Sequence, residues 1–227
     1  MIDFSLANVL AIDTSSHLLR LALQFGGDRL VKSEEDAGQS HGQMLIRKIQ
    51  NLLESANLQP SDLQALVVAT GPGSFTGLRI GIAVAKGMAV AQNLPVAGVS
   101  LLDVAEAKLA RLDDSLNLLI PFKRDEFFIT KPLSGCFNPG RVGTIAVEKI
   151  PALIRNEPTA VVGLDPSRVA AYENSPLQVV AFDAADLLHI GVARLLKSGG
   201  DDLETLEPLY IQKSQAEIRF DRRQHNG

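Results

Sequence analysis

The spacing of hydrophobic residues changes several times over the first hundred positions, and each change predicts a new element. Val9–Asp13 is a short apolar run that ends in an acid and hydroxyls. Leu18–Phe25 alternates up to Gly26, Gly27 and Asp28, and a further run over 29–33 follows at once. These runs predict strands of an antiparallel meander joined by tight turns, one of them Gly-Gly. Over 40–57 the period lengthens: Leu45, Ile49, Leu52, Leu53 and Ala56 recur at helical spacing. Ser40 and Gln43 have the spacing of a capping box, and Asn57, with Pro60 beyond it, predicts a left-handed stop. Residues 65–70 are apolar enough for a central strand covered on both faces. A helix from Ser74 or Thr76 to Gln92, a strand over 95–99 and a helix over 101–112 complete the order β-β-β-α-β-α-β-α.

The second half starts that order again in a shorter form. Strands are predicted over 116–122, 126–131 and 141–148, a helix over 149–156, strands over 159–164 and 179–182, and a helix over Ala184–Ser198. The pattern reads as a degenerate duplication with its boundary near residues 113–115. The expected division is a first lobe over 1–112, holding the long helices, and a smaller lobe over 113–227.

Composition agrees with an α/β globule. The chain has 227 residues, 46% hydrophobic and 21% charged, with no Trp, so the core must be built mainly from Ala, Val, Ile and Leu. Lys and Arg number 22 against 26 Asp and Glu, a net charge of −4. A protein that grips nucleic acid by counterion release carries a basic excess, and this chain does not. Arg219, Arg222 and Arg223 near the end read as a solvated terminus. The single cysteine, Cys136, excludes an internal disulfide and fits a reducing compartment. The first sixteen residues lack a basic stretch and a cleavage signal, and Lys86 interrupts the longest apolar run. A cytoplasmic protein without membrane spans is expected.

Two loops could carry chemistry. Asp13, Thr14 and Ser15, with Ser16 after them, close the first strand and could present a carboxylate and hydroxyls to a phosphate or Mg²⁺. A turn that satisfies its own backbone is the plainer account of the tetrapeptide. Gly71-Pro72-Gly73-Ser74-Phe75-Thr76-Gly77 joins a buried strand to a helix N-terminus, a usual place for an anion, but it is neither a Walker A loop nor Gly-x-Gly-x-x-Gly. Both loops end strands on one sheet edge, so Asp13, Thr14, Ser15, Gly71 and Gly73 are expected to line one cleft. The histidines His17, His41, His189 and His225 form no His-x-x-x-His or His-Glu-x-x-His pair.

The helix over 76–92 is apolar around most of its circumference, with Arg79 and Lys86 as its polar face. Gly77, Gly81, Ala85 and Ala89 recur every four residues, a stripe that lets another backbone come close. One sheet cannot cover such a helix alone, so a partner surface is expected from Gly77, Gly81, Ala85 and Ala89 together with Leu45, Ile49 and Leu52.

LAIDTSS, SHGQML and above all VVATGPGSFTGLRIGIAVAKGMA with PVAGVSLLD resemble the TsaB (YeaZ) family, closely over 9–106. Farther on, LNLLIPFKRDEFFI stands where the family has a strand-turn-strand, and EPLYIQ resembles its terminal motif. The chain departs from the family pattern at Thr70, where many members have a basic residue, and at the second-lobe turn, where Pro121 replaces an acid. The resemblance implies the actin-like ATPase (ASKHA) fold, two ribonuclease-H-like lobes with the second degenerate. It implies a non-catalytic subunit that binds and activates a TsaD-like protein for threonylcarbamoylation of adenosine 37 in tRNA, with a TsaE-like ATPase in the larger assembly and tRNA met indirectly. The chain alone would form a homodimer and have no cofactor of its own; ATP or ADP with Mg²⁺ would lie at or near the partner interface. The other classes left open are an actin-like-fold ATPase or kinase, a metallopeptidase-like enzyme, and a purely structural homodimer.

Overall fold

The computed structural model describes residues 7–37, 41–109, 115–123, 125–133, 136–162 and 177–211. The expected cap at Ser40, most of the expected lobe boundary and the basic tail lie outside them. In chain order the first half forms β1 (Val9–Asp13), β2 (Leu18–Phe25), β3 (Arg29–Asp36), α1 (His41–Ser55), β4 (Ala65–Gly71), α2 (Phe75–Gln92), β5 (Val96–Ser100) and α3 (Leu101–Lys108). The second half forms β6 (Asn117–Lys123), β7 (Glu126–Thr130), β8 (Pro132–Leu133), β9 (Cys136–Phe137), β10 (Gly143–Ala146), α4 (Ile150–Asn156), β11 (Thr159–Val162), β12 (Leu177–Val180) and α5 (Ala184–Ser198).

Two five-stranded sheets repeat one wiring. The first runs β3-β2-β1-β4-β5 and the second β10-β7-β6-β11-β12. In each, the three strands of the meander pair antiparallel and the last two join the first in parallel. That is the ribonuclease-H-like lobe, present twice. The third strand runs three residues past its expected end because Glu34, Glu35 and Asp36 stay paired with Arg20, Leu19 and Leu18. α3 stops at Lys108, four residues short, and the β8–β9 hairpin was not expected at all.

Alternation along the central strands sorts side chains into separate layers. Leu10 and Ile12 of β1 and Leu66 and Val68 of β4 face α1 and α2. Val9 and Ala11, with Ala65, Val67 and Ala69, face the opposite way, into a cluster shared with α3, α5 and the second sheet's Leu118, Ile120, Ala160 and Val162. The far face of the second sheet packs Leu119, Phe127 and Val161 against Ile150 and Ile154 of α4. The layers therefore run α1 and α2, first sheet, α3 and α5, second sheet, α4.

α5 belongs to the second half of the sequence yet lies against the first sheet. Asp183 caps it, accepting from the amides of Ala185 and Asp186, and pairs with Lys32 of β3 at 2.7 Å. Burial alone would push the Asp183 carboxyl up, but the Lys32 hydrogen bond, the two helix amides and the lysine charge outweigh it and hold the pKa below its ordinary value. Beyond α5 the chain crosses the β5 edge: the Asp201 amide donates to Val96 O, the Asp201 side chain accepts from Gly98 N, and the Leu209 amide donates to Thr70 O.

α5 comes this close because Gly191 has no side chain. A Cβ there would lie 2.3 Å from a methyl carbon of Val67. Gly191→Ala should therefore cost about 1–3 kcal/mol of stability through overpacking. Urea unfolding with an unchanged midpoint would contradict this account of the α5 contact.

Candidate functional site

The two loops expected to meet do meet, and they pack on each other. Asp13, Thr14 and Ser15 are all buried. The Ser74 amide donates to Ser15 O at 2.6 Å, and the Thr14 hydroxyl donates to Gly77 O at 2.7 Å. A Cβ on Gly73 would stand 2.3 Å from Ser15 O, one on Gly77 2.1 Å from Thr14 O, and one on Gly81 2.3 Å from Thr14 Oγ1. Gly71 sits at φ +105°, a left-handed conformation that favours glycine. Ser74 caps α2 by accepting from the Gly77 amide. The glycines thus serve close backbone approach, and the Thr14 hydroxyl is spent inside the joint.

The Asp13 carboxylate has partners as well. One oxygen accepts the Ser15 amide at 2.8 Å, and the other is paired with Arg20 at 2.9 Å, both side chains being almost fully buried. Arg20 also donates from Nε to Glu34 at 2.8 Å, touches Ser16 Oγ at 3.3 Å, and lies 5.6 Å from the Phe182 ring centroid. A fixed guanidinium therefore stands beside the acid that could have faced a metal or phosphate. Sequence reasoning passed over Arg20: alternation puts it on the face opposite Leu19 and Leu21, where a charge reads as solvent-facing, and its burial depends on distant packing. Among the described residues, no three of His, Cys, Asp and Glu converge on a point that could hold a metal ion.

The helix residues expected at a partner surface lie inside the lobe. Leu45, Ile49 and Leu52 of α1 pack with Ala85 and Ala89 of α2 in the core above the first sheet, and Gly77 and Gly81 are buried against Thr14. This corrects the expectation physically: the small-residue stripe lets α2 dock onto the end of β1, not onto another molecule. The outward faces of the same helices carry different residues. On α1 these are Ile46, Arg47, Gln50 and Glu54; on α2 they are Arg79, Ala83, Gly87 and Val90. Ile46 is 54% exposed and Val90 74% exposed, the latter the most exposed large hydrophobic of those described. Between the helices runs a groove of about 360 Å³, lined by Ile46, Ile49, Leu53, Leu58, Met88 and Gln92 among others.

Two copies of the ribonuclease-H-like wiring, with a glycine-rich strand-to-helix joint in the first, define an α/β protein of the actin-like ATPase fold. Residues 33–121 match the family model described as TsaD: tRNA N6-adenosine threonylcarbamoyltransferase. The chain is 31% identical over 120 residues to the tRNA threonylcarbamoyladenosine biosynthesis protein TsaB of Bacillus subtilis, covering 53% of this chain and 52% of that one. It is 39% identical over 95 residues to TsaB of Escherichia coli, covering 41% and 40%. It thus spans about half the length of the curated relatives it matches, or less. A Pseudomonas aeruginosa crystal structure described as having similarity to peptidase YEAZ superposes with a TM-score of 0.66 at 26% identity, covering 91% of this chain and 100% of that one. By sequence over about half of its length, and by fold over most of it, the chain is similar to TsaB (YeaZ) proteins. No helix among the described residues is long and apolar enough to cross a membrane.

If Arg20 neutralises Asp13, removing it strands a buried charge. Arg20→Met should lower the unfolding free energy by about 3–5 kcal/mol, and adding Asp13→Asn should restore part of that loss. Chemical denaturation that finds Arg20→Met as stable as the parent would show that the pair does not hold this loop.

Proposed function

We propose that this chain is a non-catalytic subunit that binds and activates a TsaD-like protein in the threonylcarbamoylation of adenosine 37 in tRNA. The observation that carries the proposal is the outer face of α1 and α2, where Ile46 and Val90 stand exposed and Ile46 lines an apolar groove. Large apolar side chains grouped at a groove mark a docking surface more often than a catalytic one. The inward half of the same unit supports the non-catalytic role, since Asp13 is matched by Arg20 and Thr14 is bonded to α2.

On this proposal the chain works as an unequal partner. The chemistry and any ATP or ADP with Mg²⁺ belong at or near the interface with the TsaD-like protein, a TsaE-like ATPase joins the larger assembly, and tRNA is met through the complex. The division into lobes at 112/113 and a cytoplasmic setting go with it. The wild-type chain should not turn over ATP at ordinary enzyme rates, about 1 s⁻¹ or faster.

The face can be tested without touching the core. Ile46→Asp and Val90→Asp should each leave the fold intact and weaken association with the TsaD-like protein of the same organism by about 30-fold or more, the scale of an interface hot spot. Titration calorimetry that finds parental affinity in both variants would contradict the docking face.

A further inference from the structure

An exposed arginine usually samples many rotamers, but Arg79 on α2 is held in one place. Its Nε donates to the Tyr210 hydroxyl at 2.8 Å. Its guanidinium carbon lies 4.0 Å from the Phe75 ring centroid and 5.4 Å from that of Tyr210, and the two rings stand 5.0 Å apart. Phe75 is one helical turn back on the same face. Tyr210 arrives from the segment beyond α5, next to the Leu209 amide that is anchored on Thr70. The clamp uses Nε and one face of the guanidinium, and its two terminal nitrogens have no carboxylate partner among the described residues. That end is the edge an arginine uses for a bidentate carboxylate.

The surroundings define what would bind there. Arg79, Ala83, Gly87 and Val90 form one outward stripe of α2. α2 contains no acidic residue, and Glu54 is the only one in α1, so Arg47, Arg79 and Lys86 give this face a local positive charge on a chain whose net charge is −4. A nucleic-acid backbone needs several cations following its phosphates. Here apolar Ile80, Ala83, Val84, Gly87 and Val90 fill the stripe around Arg79 and Lys86, which suits a protein surface instead. The stripe joins apolar area to positive charge that no acid of α2 balances, so a partner must bring the acid. Charge complementarity therefore selects a protein partner with an apolar patch and an acid beside it.

We propose that Arg79 is the anchor that receives a carboxylate of the partner protein, with Phe75 and Tyr210 as positioning residues that fix it before docking. The proposal rests on the docking face described above. Fixing the side chain in advance removes most of its ordering cost on association. It also gives the segment over 201–211 a role: the chain returns across the first sheet to hold the arginine.

The test compares the full-length chain with Arg79→Met, Arg79→Lys, Tyr210→Phe and Ile46→Asp in binding to the TsaD-like protein of the same organism. Calorimetry is run at low and high salt, with thermal unfolding measured for each variant. Arg79→Met should weaken binding by about 30–100-fold and flatten its salt dependence. Arg79→Lys should recover only part of the loss, since an ammonium cannot offer the fork, and Tyr210→Phe should lose about three- to tenfold with the charge retained. Arg79→Met that binds as the parent does while Ile46→Asp does not would overturn the anchor and leave the docking face standing. If neither substitution alters binding, the docking face fails as well. A fall in melting temperature with parental affinity would make the cluster a fold contact only, and loss of binding to a tRNA probe in place of the protein would also overturn the proposal.

Discussion

The carbonyl oxygens of Thr14 and Ser15 press against the backbone of α2, where a Cβ on Gly77 or Gly73 would lie 2.1 or 2.3 Å from them. That contact fixes the position of α2 on the first sheet, and much else follows from it. Asp13 is buried away from solvent, so the acid needs a counter-ion, which Arg20 supplies from the neighbouring strand. The contact uses the Thr14 hydroxyl and the Ser74 amide, groups that an open phosphate loop would keep for its ligand. The glycine loop keeps the outline of a ligand-binding turn while its Ser74 and Gly77 amides are bonded from within.

The same contact decides which way the rest of α2 faces. With Gly77, Gly81, Ala85 and Ala89 turned inward, Arg79, Ala83, Gly87 and Val90 turn outward. A helix apolar on nearly every side thus becomes a two-sided element, small residues against β1 and a mixed apolar and cationic stripe toward solvent. The terminal segment reinforces the arrangement by setting Tyr210 on Arg79 near the first turn of α2. Outward from the first sheet, this lobe offers a surface rather than an open site.

The architecture was largely legible in the spacing of apolar residues. β1, β2 and α5 coincide with their expected bounds, and Asn57 does adopt the left-handed conformation at φ 57°. The repeated meander predicted the two matching sheets. What escaped was non-local or too short to show a period. The β8–β9 strands are two residues each, and Tyr210 meets Arg79 across 131 positions. The small-residue stripe expected at a partner surface lies inside the lobe, because small residues signal close approach without saying to what. Here the neighbour is the end of β1 in the same chain, which a helical wheel cannot reveal. Spacing along the chain could not show that the loops carrying Thr14, Ser15, Gly73 and Gly77 would press together.

The central claim is that this chain acts through the outer face of α1 and α2 while the joint at Asp13 stays closed. Methyl NMR of the full-length chain, titrated with the TsaD-like protein of its own organism, tests it most directly. The account predicts shifts at the methyl groups of Ile46, Val84 and Val90, with those of Ile12 and of Leu196 on α5 unmoved. Shifts centred on Ile12 and the strand end, with Ile46 and Val90 unchanged, would contradict it.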